Sequence, residues 1–210
     1  IKPEVVARGS NVSAAAHGTG TQFSGRSGTS FSSPYVAGLA ALVLQRCREV
    51  DSADPYAPPL FYILENCTAI DIKNRIVSNS IENVFRVPGE PRNISRVGAG
   101  SASPLKALSS SLHITTLVPF TEPVDGGVSL NAESGFAFGF VDHSSNNYPL
   151  ELTSQFLLKN SSDQSKNVTF STRVTHPSQL ANTAIEFDFS FASPSSTLAI
   201  SPKSQQLVTF

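Results

Sequence analysis

The chain holds 210 residues, with 15 lysines and arginines against 16 aspartates and glutamates, a formal net charge of −1. That balance implies no nucleic-acid partner, and no basic stretch of the kind that tracks a phosphate backbone occurs. The longest apolar run, residues 36–44, is too short to span a bilayer and is broken by Gly38. The length suits one or two domains. The chain starts at Ile1, has no methionine and stops in the strand-like run Leu207-Val208-Thr209-Phe210, so it is expected to be a fragment.

In chain order, a first helix is expected to start around residues 30–34 and run to Arg46. Pro34 suits a first turn, where an N–H would have no intrahelical partner. Its residues Val36, Ala37, Ala40, Ala41, Leu42, Val43 and Leu44 are apolar almost all round, the pattern of a helix buried inside a larger domain. Residues 51–62 are proline-rich and irregular. A second helix is predicted over 69–85, capped by Thr68 with Asp71 as capping-box partner, and with Ile70, Val77, Ile81 and Val84 near one face. Residues 86–96 read as a loop, and Val97-Gly98-Ala99-Gly100 leads into a short helix over 104–108.

Near residue 110 the composition shifts. From Leu112 the period becomes two: 156–160 reads as a strand, 161–163 as a turn, and 168–174 and 185–191 alternate again. Half-buried strands spaced by polar turns argue for an antiparallel sandwich. Two regions follow, 1–110 with helices and loops and 111–210 all-β.

Cys47 and Cys67 are the only cysteines. They either form a disulfide, closing a loop of roughly 20 residues and adding about 3 kcal/mol, or remain two buried thiols. Two isolated cysteines make no metal site, and no metal or cofactor is expected. Five N-x-[ST] sequons, at Asn11, Asn66, Asn93, Asn160 and Asn167, suit a secreted glycoprotein; each is an acceptor only in a secretory lumen and only if exposed.

The segment that carries chemistry is Gly28-Thr29-Ser30-Phe31-Ser32-Ser33-Pro34-Tyr35-Val36-Ala37-Gly38. A serine hydroxyl is a poor nucleophile until it is held beside a general base. At the start of an apolar helix its position is fixed, and the unpaired N–H groups and partial positive charge of the helix end favour an oxyanion. The same placement also suits an ordinary helix N-cap. This segment resembles the active-site serine motif of the subtilases, G-T-S-x-[SA]-x-P followed by V-A-G. Ile1-Lys2-Pro3-Glu4-Val5-Val6-Ala7-Arg8-Gly9 is similar to the K-P-[DE]-[IV]-x-A-P-G stretch that precedes it in that family, with Arg8 where proline is usual. Residues 97–108 resemble the element near the end of subtilase catalytic domains, and 111–210 resembles, more weakly, the fibronectin-III-like domain that follows in larger secreted members.

The resemblance implies a fold: the C-terminal portion of a subtilisin-like α/β parallel-sheet domain over 1–110, then a fibronectin-III-like antiparallel sandwich. It implies a serine endopeptidase acting on protein or peptide substrates, with Ser30 as nucleophile and its backbone N–H as one oxyanion donor. Thr29 and Ser33 are supporting positions without a bond-making role. The family's chain order, Asp then His then Ser, puts the other triad members upstream of Ile1. Ala16-His17-Gly18-Thr19-Gly20 mimics the family's histidine motif but stands only thirteen residues before Ser30, so His17 reads as a loop residue. His113, His143 and His176 follow the serine and read as surface residues. The competing expectation, from the missing triad members, is a non-catalytic secreted binding or adhesion module, or a pseudoprotease fragment.

Overall fold

The computed structural model describes residues 3–49, 68–81, 84–87, 90–91, 97–121, 128–133, 154–170 and 197–209. The expected segments at 51–62 and 185–191, and His143 and His176, lie outside these. The architecture is mixed: helices in the first half and antiparallel sheets beyond.

The first half opens on an extended segment and a hairpin of β1 (Val12–Ala15) and β2 (Phe23–Arg26), paired from Val12↔Arg26 to Ala15↔Phe23. Helix α1 (Thr29–Glu49) follows. It begins one residue before the serine, which puts Pro34 in the second turn, where residue 34 has no N–H to give the Ser30 carbonyl. Only one stripe of α1 is covered: Leu39 and Val43 are buried against Ile76, Ala102 and Ala107, with Val36 and Ala40 alongside. Tyr35 and Leu42, 41% and 48% exposed, lie off that stripe, as do Ala37 and Ala41. Cys47, near the end of α1, is disulfide-bonded, and the chain has one other cysteine, at 67. That excludes the free-thiol alternative for Cys47.

Helix α2 (Ala69–Ser78) carries the expected capping box: the Asp71 N–H donates to Thr68 Oγ1 while Asp71 Oδ2 accepts from the Thr68 N–H. It ends seven residues earlier than the periodicity predicts. Ser78, Asn79 and Ser80 stop it with their side chains: Ser80 Oγ donates to the Ile76 carbonyl at 2.9 Å and Asn79 Nδ2 to the Arg75 carbonyl at 2.9 Å. Such short polar side chains satisfy the backbone locally and compete with further helix. The apolar face differs too. Ile72 and Ile76, rather than the predicted Ile70, Val77, Ile81 and Val84, meet the core. Beyond α2, the expected loop contains a small antiparallel pair, β3 (Phe85–Val87) with β4 (Glu90–Pro91). Helix α3 (Pro104–Ser109) starts as read, with Pro104 in its first turn and Ser103 Oγ accepting from the Lys106 N–H.

In the second half, β5 (Leu112–Thr121), β6 (Val128–Glu133) and β7 (Gln155–Asn160) precede β8 (Lys166–Thr169), β9 (Thr197–Ile200) and β10 (Ser204–Thr209). One antiparallel sheet runs in the order β10-β7-β5-β6, and β8 with β9 forms a separate two-stranded ribbon. Val168, Leu198 and Ile200 of the ribbon pack with Phe156, Leu158 and Val208 of the sheet, and the Phe156 and Phe170 rings sit 5.7 Å apart. These are alternate residues, the consequence of the two-residue repeat of a strand.

The halves meet where α2 lies against β5. The pairing of β5 with β6 begins at Thr116, opposite Glu133, so residues 112–115 of β5 lie beyond it. There Ser78 Oγ takes a strand's place, donating to the Ile114 carbonyl at 3.1 Å and accepting its N–H at 3.0 Å. Asn74 Nδ2 donates to Thr115 Oγ1 at 3.1 Å, Asn79 Nδ2 to the Leu112 carbonyl at 3.2 Å, and Lys159 pairs with Asp71 at 3.3 Å. Buried Arg75 donates through Nε to the Ala107 carbonyl at 2.7 Å and through Nη2 to the Ser110 carbonyl.

Candidate active site

Three stretches far apart in sequence converge on the start of α1. The first is residues 4–9, extended. The Val6 N–H donates to the Gly100 carbonyl at 2.9 Å, and Val6 accepts from the Ala102 N–H at 2.8 Å, which makes a parallel bridge to Ser101. Ser101 in turn exchanges two 2.8 Å bonds with Ile81. Gly98, at φ +57°, passes so close to this segment that an added Cβ would meet the Glu4 carbonyl oxygen at 2.2 Å. The residues 97–103 element and the residues 4–9 element are therefore one structural unit.

That unit holds the serine segment by its other end. The Gly28 N–H donates to the Gly9 carbonyl at 2.7 Å, and Ser32 Oγ donates to the Ala7 carbonyl at 3.1 Å. Gly9 can be nothing larger: a Cβ there would lie 2.1 Å from Ser32 Oγ and 2.7 Å from the Gly28 carbonyl oxygen. Gly28 has φ +156°, a conformation that side chains rarely adopt, and its carbonyl accepts the Phe31 N–H at 3.1 Å to start the helix. Ser30 is the second residue of α1 and is exposed. The amides of Thr29 and Ser30 have no helical acceptor behind them, so the hydroxyl stands beside donors left open by the helix among the described residues, at the positive end of a 21-residue helix. The arrangement presents a fixed hydroxyl to solvent with an oxyanion-favouring backbone next to it. Ser33, Pro34 and Tyr35 are exposed around it.

His17 sits in the loop from Ala16 to Gln22 that joins β1 to β2, and it is exposed. The loop closes on itself through the Ala16 N–H to the Gln22 carbonyl at 2.9 Å, and Thr19 Oγ1 to the Ala16 carbonyl at 2.9 Å. His113 is not the surface residue that the sequence suggests. It is 1% exposed, with neither ring nitrogen hydrogen-bonded among the described residues. Burial, helped by the charges of Arg75 and Lys159 and opposed by that of Asp71, pulls its pKa from 6.5 to about 4. It is a neutral ring packed under α2. Burial, with the Arg46 charge second, brings Arg75 down to about 10, so it stays charged at neutral pH. At Asp71 burial raises the pKa, but the Thr68 hydrogen bonds and Lys159 outweigh it and the net shift is down. Neither Asn74 nor Arg75 stands out in the sequence, because the contacts that bury them come from residues 32 to 41 positions on.

Among the described residues no group of three His, Cys, Asp or Glu side chains could hold a metal ion, and no helix is long and apolar enough to cross a membrane. Comparison with curated proteins finds no match. Residues 1–103, which hold Ser30, both glycine contacts behind it and the bridging strand at Ser101, match the subtilase family, Peptidase S8, so this half of the chain is similar to a family of serine peptidases.

Proposed function

We propose that the chain is the nucleophile-bearing part of a secreted subtilisin-like serine endopeptidase, with Ser30 attacking the peptide carbonyl. One observation carries this reading: an exposed serine on the first turn of a long helix, locked from behind by the Gly28–Gly9 and Ser32–Ala7 contacts. A histidine and an aspartate come from the part of the protease that precedes Ile1. The histidine takes the Ser30 proton as Oγ bonds to the carbonyl carbon, and the negative oxygen is held by the Ser30 N–H and a further donor. The proton then passes to the leaving amine, and water releases the acyl group. Residues 111–210 form a fibronectin-III-like sandwich that braces α2. The chain alone has negligible turnover, because a serine without its base keeps only a small part of the triad's effect.

The test is labelling of the intact protease with a fluorophosphonate probe, followed by peptide mass mapping. The label is expected on Ser30 and is lost in Ser30→Ala. Labelling that survives that substitution, or an intact protein that never labels, refutes the assignment.

A further inference from the structure

Of the five sequons, three lie in the described residues, and the structure treats them differently. Asn11 and Asn167 are exposed, and neither amide nitrogen makes a hydrogen bond among the described residues. Asn11 precedes β1, with its backbone N–H given to Ser27 Oγ at 2.9 Å. Asn167 stands on the outer face of the β8–β9 ribbon, opposite exposed Ala199. Asn160 is 2% exposed. Its Nδ2 donates to the Gln164 carbonyl at 2.8 Å and the Ser201 carbonyl at 2.9 Å, with Ile200 O at 3.5 Å. Its Oδ1 accepts from Ser162 N–H at 3.0 Å and Ser162 Oγ at 2.8 Å. That one side chain ties the end of β7 to the turn after it and to the end of β9.

We propose that Asn11 and Asn167 are N-glycan acceptors and that Asn160, with the same sequon, carries no glycan in the folded protein. The proposal rests on the secreted reading above. In the modification, the asparagine Nδ2 bonds to C1 of an oligosaccharide carried on a lipid diphosphate. The C1–O bond breaks, the diphosphate leaves, and the amide loses one proton. A glycosylated amide keeps one hydrogen and needs an open path for the sugar. At Asn160 both hydrogens are engaged and the surroundings are closed. Transfer precedes folding, so a chain modified at Asn160 cannot bring β7, the turn and β9 together. The folded population comes from chains in which that sequon was skipped.

The test is expression of the full chain behind a cleavable secretion signal in a glycosylating eukaryotic host. Soluble and retained protein are separately deglycosylated with peptide N-glycanase in heavy-oxygen water, and the labelled peptides are read by mass spectrometry. Labelling at positions 11 and 167, with any labelling at 160 confined to retained protein, is expected. Ser13→Ala and Thr169→Ala should each remove one glycan, and Ser162→Ala none from soluble protein. A glycan on Asn160 in the soluble fraction, or bare Asn11 and Asn167 in both fractions, overturns the proposal. The supplied signal fixes the compartment, so this outcome concerns the asparagines alone. A protein without glycans when purified from its own cells would instead argue against secretion.

Discussion

Replacing His113 with leucine should make the protein more stable and remove most of its acid sensitivity above pH 4. The ring is closed in by Asp71 and Arg75 from α2 and by its cross-strand partner Lys159 on β7. In the folded state it binds a proton only near pH 4, against 6.5 for a free imidazole. Above that higher value neither state is protonated and the group adds no pH dependence. Between the two values the unfolded chain takes up a proton that the folded chain refuses, so acidification lowers stability, by up to about 1.4 kcal/mol per pH unit. Across the window this amounts to about 3 kcal/mol, and it levels off once the folded ring titrates as well. Asp71 acts in the opposite part of the scale: its lowered pKa gives stability that is present above the ordinary carboxylate value and is lost only below it. Leucine also removes two buried nitrogens that have no partner among the described residues, worth about 1–3 kcal/mol at neutral pH. Urea unfolding of wild type and His113→Leu between about pH 7 and pH 4 reads both effects. The difference between the two proteins should widen steadily on acidification. A difference that stays constant over that range would show that the ring titrates in the folded state as it does in the unfolded chain, and would refute the reasoning.

Two further outcomes follow from particular contacts. Gly9→Ala would set a Cβ 2.1 Å from Ser32 Oγ, pushing the serine turn off its support. Fluorophosphonate labelling of Ser30 in the intact protease should slow by at least about tenfold, since small displacements of a nucleophile are costly; an unchanged rate would show that the residues 4–9 segment does not position the serine. Reduction of the Cys47 disulfide should lower stability by about 3 kcal/mol, read as an earlier urea midpoint in reductant. Equal midpoints with and without reductant would mean that the bridge adds no constraint.

What was legible in the sequence was what is local. Gly28 and Ser30 announce a turn into a helix, and Thr68 with Asp71 announces a capped helix start, because each signal is completed within four residues. The end of α2 was not legible: Asn79 spends its amide partly on the Leu112 carbonyl, 33 residues on. His113 read as a surface residue because alternation marks which face of a strand it occupies, not what covers that face. The cover is α2, whose Asn74 reaches Thr115 across 41 positions. The Asn160 sequon was unreadable for the same reason, since its acceptors on residues 200 and 201 come from another strand's end.

The polar joint gives the second half a bearing on Ser30. Apolar contact resists separation but tolerates sliding, whereas hydrogen bonds are directional. Ser78, Asn74 and Asn79 all bond across it, and Asp71 meets Lys159, so α2 can take one position on β5. Ile76 of α2 then sets Leu39 and Val43 of α1 in the same core, and Ala102 in that core continues the strand bridged to Val6. Removing residues 111–210 would not leave Asn74 buried and unpaired, because water would replace the sheet, and Arg75 would keep its acceptors at Ala107 and Ser110. The loss would be in placement: α2 freed from β5 would let α1 shift against the residues 4–9 segment, and Ser30 moves with α1.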